Sequence, residues 1–142
     1  MRYYFNIGSN LGNKRLNLYR AIEELSIFGT DCDVSDIIES KPWGFESENG
    51  FLNIGMAISS TIEPQEMLDT IHLIEQRLGS GSHRDKDGNY TDRLIDIDIM
   101  AIDDENGESV IIDTPTLKVP HPHLYDREFF IVPYKQLKTN NL

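Results

Sequence analysis

The sequence predicts an α+β sandwich, an antiparallel-rich sheet with helices packed on one face. Three observations predict it: an element order β-α-β-β-α-β, a run of alternate isoleucines around residue 97, and two apolar stripes at helical spacing. The chain has 142 residues, 39% hydrophobic and 26% charged, which suits one globular domain over 1–142 with a continuous core.

The elements follow in order. Residues 3–8 (YYFNIG) read as a short first strand, and GSNLGN at 8–13 is turn chemistry leading into a helix with Leu18, Ile22 and Leu25 on its buried stripe. Residues 31–40 (DCDVSDIIES) read as the second strand, the loop KPWGFESENG follows, and residues 51–60 (FLNIGMAISS) read as the third strand. Pro64 fits the first turn of a second helix, with Glu63 and Glu66 favourable to its N-terminal dipole and Met67, Ile71, Ile74 and Leu78 as its stripe. After the long loop GSGSHRDKDGNYT at 79–91 comes the strand LIDIDIM at 94–100. A further short strand is expected at 109–112 (SVII), then VPHPH and a short helix around 124–129. This order is of the ferredoxin-like kind, and it leaves the uncovered sheet face, with the two long loops above it, available for a site.

Composition narrows the function. No apolar run approaches the roughly 20 residues of a membrane span, and MRYYFNIGSN is not a signal peptide. The single cysteine, Cys32, excludes an internal disulfide framework and a Cys-based zinc site, and is expected to be a buried strand residue. Together these indicate the cytoplasm. A net charge of −11 disfavours nucleic acid and anionic membranes as partners. Any anionic ligand must then meet a local basic cluster or arrive with cations, and magnesium would serve.

The strand at 94–100 holds the strongest chemical signal. Ile95, Ile97 and Ile99 share one face, and Leu94, Asp96, Asp98 and Met100 share the other. Carboxylates at i and i+2 lie roughly 6.6 Å apart and can lean toward a common cation. Magnesium, which uses one or two carboxylates plus substrate phosphates, suits them; the alternative is a pair of solvated acids. Arg93 offers a planar fork for phosphate, or else pairs with Asp92. His83, Arg84 and Lys86 lie in the 79–91 loop. His121, His123 and Arg127 form another basic cluster, better read as phosphate contacts than as a transition-metal site. His72 and Glu75 are neighbours on the second helix, and Phe51 and Asn53 share a strand face, an aromatic plate beside an amide that suits a flat heterocycle or simply the core.

With IGSNLG at 7–12, PWGFESENGFLN at 42–53, IEQRLG at 74–79, DRLIDIDIM at 92–100 and VPHPHLYDREFFIVP at 119–133, the chain closely resembles the 6-hydroxymethyl-7,8-dihydropterin pyrophosphokinases of folate biosynthesis. It departs from the family's usual pattern at Ser80 and at Thr91-Asp92, before the arginine of the acidic motif. The resemblance implies transfer of pyrophosphate from ATP to the pterin hydroxymethyl group, with AMP released, by a monomer acting on small molecules. It implies two magnesium ions on Asp96 and Asp98, which with Arg93 form the catalytic set. Ser40, Trp43, Phe51, Asn53 and Phe129 are the implied pterin contacts, with the two phenylalanines on opposite sides of the ring. His72, Glu75, Arg84, Tyr90, Arg93, Ile99, His121 and Arg127 are the implied ATP contacts. A non-catalytic nucleotide-binding module on the same fold is the alternative reading.

Overall fold

The computed structural model describes residues 1–40, 50–79 and 94–140. At the centre lies β1 (Arg2–Ser9), paired antiparallel with β4 (Phe51–Ser59) on one side and β5 (Asp96–Asp103) on the other. Along the outer side of β4 run β2 (Thr30–Val34) and β3 (Ile38–Ser40), giving the order β2-β4-β1-β5. Helix α1 (Lys14–Ser26) carries the chain from β1 to β2, and α2 (Pro64–Arg77) carries it from β4 to β5, so each crossover skips one strand. This is the βαββαβ arrangement the sequence predicts.

Both crossover helices lie on one face. Tyr3, Phe5 and Ile7 of β1, Met56 and Ile58 of β4 and Ile97 and Ile99 of β5 pack with Leu18 and Leu25 of α1 and Met67, Ile71 and Ile74 of α2. Asn13 caps α1 by accepting from the Leu16 N–H at 3.2 Å, and Pro64 opens α2 in its first turn, where a missing N–H costs nothing. The predicted stripes therefore hold, with Ala21 more buried than Ile22.

The opposite face is not bare, contrary to the sequence expectation. The short helix expected around 124–129 is instead turn structure followed by α3 (Glu128–Asn140), which lies across this face. Phe130 and Leu137 of α3 pack on Tyr4, Ala57 and Met100. Close approach depends on Gly55 of β4, where a Cβ would stand 2.8 Å from the Pro133 side chain and 2.9 Å from that of Leu137. The far end of α3 is fixed by Lys138, whose ammonium donates at 2.7 Å to the buried Asp103 carboxylate, which also accepts from Tyr4 Oη at 3.1 Å.

Three further expectations change. The strand expected over 31–40 is broken, because Ser35 answers both main-chain groups of Gly55. Its N–H donates to the Gly55 carbonyl at 2.9 Å, and its Oγ accepts from the Gly55 N–H at 2.7 Å, so a side chain replaces a strand rung. Cys32 is exposed, since β2 is an edge strand. In the 109–112 segment only Ser109 bridges Asp103, and the paired residues shift to β6 (Ile112–Asp113) with β7 (Lys118–Val119). No described helix is long and apolar enough to cross a membrane.

Candidate active site

The strand registers assemble the α3-side face rung by rung. Asp96 of β5 stands opposite Gly8 of β1, which stands opposite Asn53 of β4; one rung along, Asp98, Asn6 and Gly55 form a second row. Directly opposed residues share a face, so both carboxylates, the glycine and the Asn53 amide face the same way. Adjacent strands are about 4.8 Å apart, which separates the Asp96 and Asn53 backbones by roughly 10 Å. Between them Gly8 contributes no side chain. A Cβ there would meet Asn53 Oδ1 at 2.9 Å and Phe51 Cδ1 at 3.3 Å, so the missing side chain is a gap in the row, the Gly8 pit, into which the Asn53 amide and the Phe51 ring already lean.

The pit's amide is held. Asn53, 2% exposed, donates through Nδ2 to Ser40 Oγ at 2.8 Å, and Ser40 itself pairs with Phe51 across β3 and β4. Over the neighbouring rung, the Phe129 carbonyl accepts from Asn6 Nδ2 at 2.6 Å. The half-buried Phe129 ring packs edge-on against Phe130 at 5.1 Å, and the Arg127 guanidinium lies 5.7 Å from its centroid.

A second concavity, of about 360 Å³, opens at the outer edge of β5 and takes in Asp98, Ile99, His72, Glu75 and His121. Asp98 thus belongs to both the pit's face and the cleft. Glu75 is buried rather than on a solvated helix face, and its Oε2 accepts from the Ile97 N–H at 2.9 Å. Strand alternation aims the Ile99 peptide toward the same outer edge. His72 is exposed at the rim. His121 Nε2 stands 4.0 Å from Asp98 Oδ1, while its Nδ1 accepts from the His123 N–H at 3.0 Å, which leaves the proton of the neutral ring on Nε2. Burial, reinforced by Arg127 and His123, pushes the His121 pKa down from 6.5 to about 4, so the ring is neutral near pH 7.

Among the described residues no three His, Cys, Asp or Glu side chains gather into a protein-only metal cage. Two carboxylates on an open face fit instead a hard cation that completes its shell from phosphate and water.

A family model described as 7,8-dihydro-6-hydroxymethylpterin-pyrophosphokinase (HPPK) matches residues 4–139. The chain belongs to the HPPK family. Among curated relatives, the 2-amino-4-hydroxy-6-hydroxymethyldihydropteridine pyrophosphokinase of Aquifex aeolicus is 37% identical over 137 residues, 96% of this chain and 80% of the relative. Those of Porphyromonas gingivalis (38%; 92% of this chain and 86% of the relative) and Bacillus subtilis (33%; 94% and 76%) are similar. A crystal structure titled as HPPK-DHPS in complex with substrates has the same fold, with a TM-score of 0.61 at 14% identity over 92% of this chain and 39% of that one. Membership carries pyrophosphokinase activity in folate biosynthesis, and with it the use of ATP.

Of the residues the sequence singles out, Asp96, Asp98, Phe51, Asn53 and Ser40 face or flank the Gly8 pit. Phe129 is tied to the adjacent rung, while His72, Glu75, Ile99 and His121 line the cleft. Arg127 stacks near both phenylalanines of α3. Trp43, Arg84, Tyr90 and Arg93 lie outside the described residues. Sequence reasoning missed Gly8 as the floor of the pit and Asn6 as an anchor. The signal for Asn6 was present, an amide inside the apolar strand YYFNIG.

Proposed function

We propose that this chain transfers pyrophosphate from magnesium-bound ATP to the hydroxymethyl oxygen of 6-hydroxymethyl-7,8-dihydropterin. The hydroxyl oxygen forms a bond to the β-phosphorus, the bond from that phosphorus to the α–β bridging oxygen breaks, AMP departs and the hydroxyl proton is lost to solvent. One observation carries the reading: Asp98 lies at the junction of an aromatic-and-amide pit and a separate cleft, so carboxylates stand where two substrates would meet.

Each group has a role consistent with its surroundings. Phe51 and Phe129 enclose the flat pterin, Asn53 and Ser40 with Trp43 read its polar edge, and Gly8 lets the Asn53 amide and the Phe51 ring lie close over the sheet. His72, Glu75 and Ile99 line the cleft proposed for the nucleotide, and Tyr90 is assigned to the same ligand. Neutral His121 donates through Nε2–H to a phosphate oxygen, and Arg84, Arg93 and Arg127 supply charge along the chain of phosphates. Asp96 and Asp98 would hold two magnesium ions. Magnesium, when bound, offsets phosphate charge and lowers the pKa of the attacking hydroxyl. The protein's own task is then in-line positioning, with no strong protein base required. On this reading the protein is a monomer acting on small molecules in the cytoplasm.

The test is AMP formation from ATP with and without the pterin, each with and without Mg²⁺. AMP that requires both the pterin and the metal is the expected result. Folded protein that forms no AMP under any condition would refute the catalytic reading.

A further inference from the structure

We propose that Asn6 is a positioning residue for the pterin subsite, fixing the Phe129 ring by holding that residue's main-chain carbonyl. The inference rests on the reading of Phe129 as one face of the pterin site.

It begins with a proline. In an α-helix the carbonyl of residue 129 takes the N–H of residue 133. Residue 133 of α3 is Pro133, which has no N–H, so the Phe129 carbonyl loses its helical partner. A carbonyl withdrawn from water in that state costs free energy to the extent that it is covered, unless another donor reaches it. Asn6 Nδ2 reaches it at 2.6 Å. A carbonyl only accepts, so the amide's orientation is set by its partner. Asn6 is itself 2% exposed in the middle of the central strand, a poor place for an amide without such a bond.

The position of Asn6 gives this bond a consequence beyond helix docking. Asn6 stands opposite Asp98 on one side and opposite Gly55 on the other. Gly55 makes room for Pro133, which has no N–H to give the Phe129 carbonyl, and Asn6 donates to that carbonyl instead. One rung of the sheet therefore carries the candidate metal ligand and also sets where Phe129 sits. A pterin stacked on Phe129 is thereby referenced to Asp98, and displacements of about 1 Å matter for in-line transfer.

The experiment compares Asn6→Ala, Asn6→Ser, Phe129→Ala and the double variant Asn6→Ala/Phe129→Ala in the full chain. Calorimetry measures the affinity for 6-hydroxymethyl-7,8-dihydropterin and, separately, for magnesium α,β-methylene-ATP. Asn6→Ala is expected to weaken the pterin about tenfold and the nucleotide less than twofold. Asn6→Ser, whose hydroxyl is too short to reach the carbonyl, is expected to show the same pterin-selective loss and carries the comparison if Asn6→Ala fails to fold. The double variant is expected to bind pterin no more weakly than Phe129→Ala, because without the ring there is nothing to position. Equal losses for both ligands, unchanged pterin affinity in Asn6→Ala, or additive losses in the double variant would each overturn the inference. Unchanged pterin affinity in Phe129→Ala is a separate outcome: it removes the aromatic-plate reading itself, and the role of Asn6 with it.

Discussion

Replacing Gly8 by alanine tests the pit with a single methyl group. Gly8 lacks the left-handed φ found at Gly12, Gly79 and Gly107, so alanine suits its backbone and the whole effect comes from the added Cβ. That carbon would lie 2.9 Å from Asn53 Oδ1, closer than folded proteins tolerate, so the amide must move. It cannot move freely, being 2% exposed and tied to Ser40 Oγ at 2.8 Å. The strain of such overpacking is about 1–3 kcal/mol, and alanine's smaller unfolded-state entropy returns about 0.4–1 kcal/mol. A net loss of roughly 1–2 kcal/mol in urea unfolding is expected. Pterin affinity should fall further, by about tenfold or more, since the methyl occupies the floor and the displaced amide no longer matches the ring edge. Affinity for magnesium α,β-methylene-ATP should stay within about twofold, because the cleft lies beyond Asp98. Pterin affinity unchanged in Gly8→Ala would show that the ring does not enter here.

Three other outcomes follow from the same geometry. Asp98→Ala should lower kcat by several kcal/mol of transition-state stabilisation, at least about a thousandfold, and near-normal turnover would remove the acid pair from the mechanism. His121, neutral in the fold down to about pH 4, titrates at 6.5 once unfolded. The unfolded state therefore binds the extra proton first, and this contribution to stability is complete above 6.5 and declines as pH falls from 6.5 toward 4. An NMR titration of the metal-free protein that found His121 protonating above 6.5 would contradict this. Lys138→Met should lower the melting temperature by removing the ammonium that donates to the buried Asp103 carboxylate and leaving the Tyr4 hydroxyl to serve it, at a cost of about 1–3 kcal/mol, with kcat unchanged. An unchanged melting temperature would mean that solvent replaces the ammonium.

Much of this was legible in the residues. Period-2 and helical spacings locate β1, β4, β5, α1 and α2, since one-sided burial imposes them, and two aspartates among isoleucines single out β5 as the candidate site strand. What was illegible depends on side chains standing in for backbone groups. Ser35 imitates a strand rung and so breaks what reads as one strand from 31 to 40. Pro133 argues against a helix through 128–140 until Asn6, far away in sequence, serves the carbonyl it strands. The burial of Glu75 is hidden likewise, because its partner is a peptide N–H on β5 and not a side chain. Such long-range substitutions leave no periodic trace.

The outer edge of β5 has a bearing on solubility. A strand of alternating isoleucines at the border of a sheet is a template on which another chain can grow by main-chain pairing. Here three of the outward groups are already bonded: the Ile97 N–H to Glu75, the Met100 carbonyl to the His121 N–H, and the Ile102 carbonyl to the Val110 N–H. A second copy laid alongside would also set its own acids against Asp96 and Asp98. Acids proposed to meet a metal-bound nucleotide are thus also charges of the kind that oppose edge-to-edge pairing.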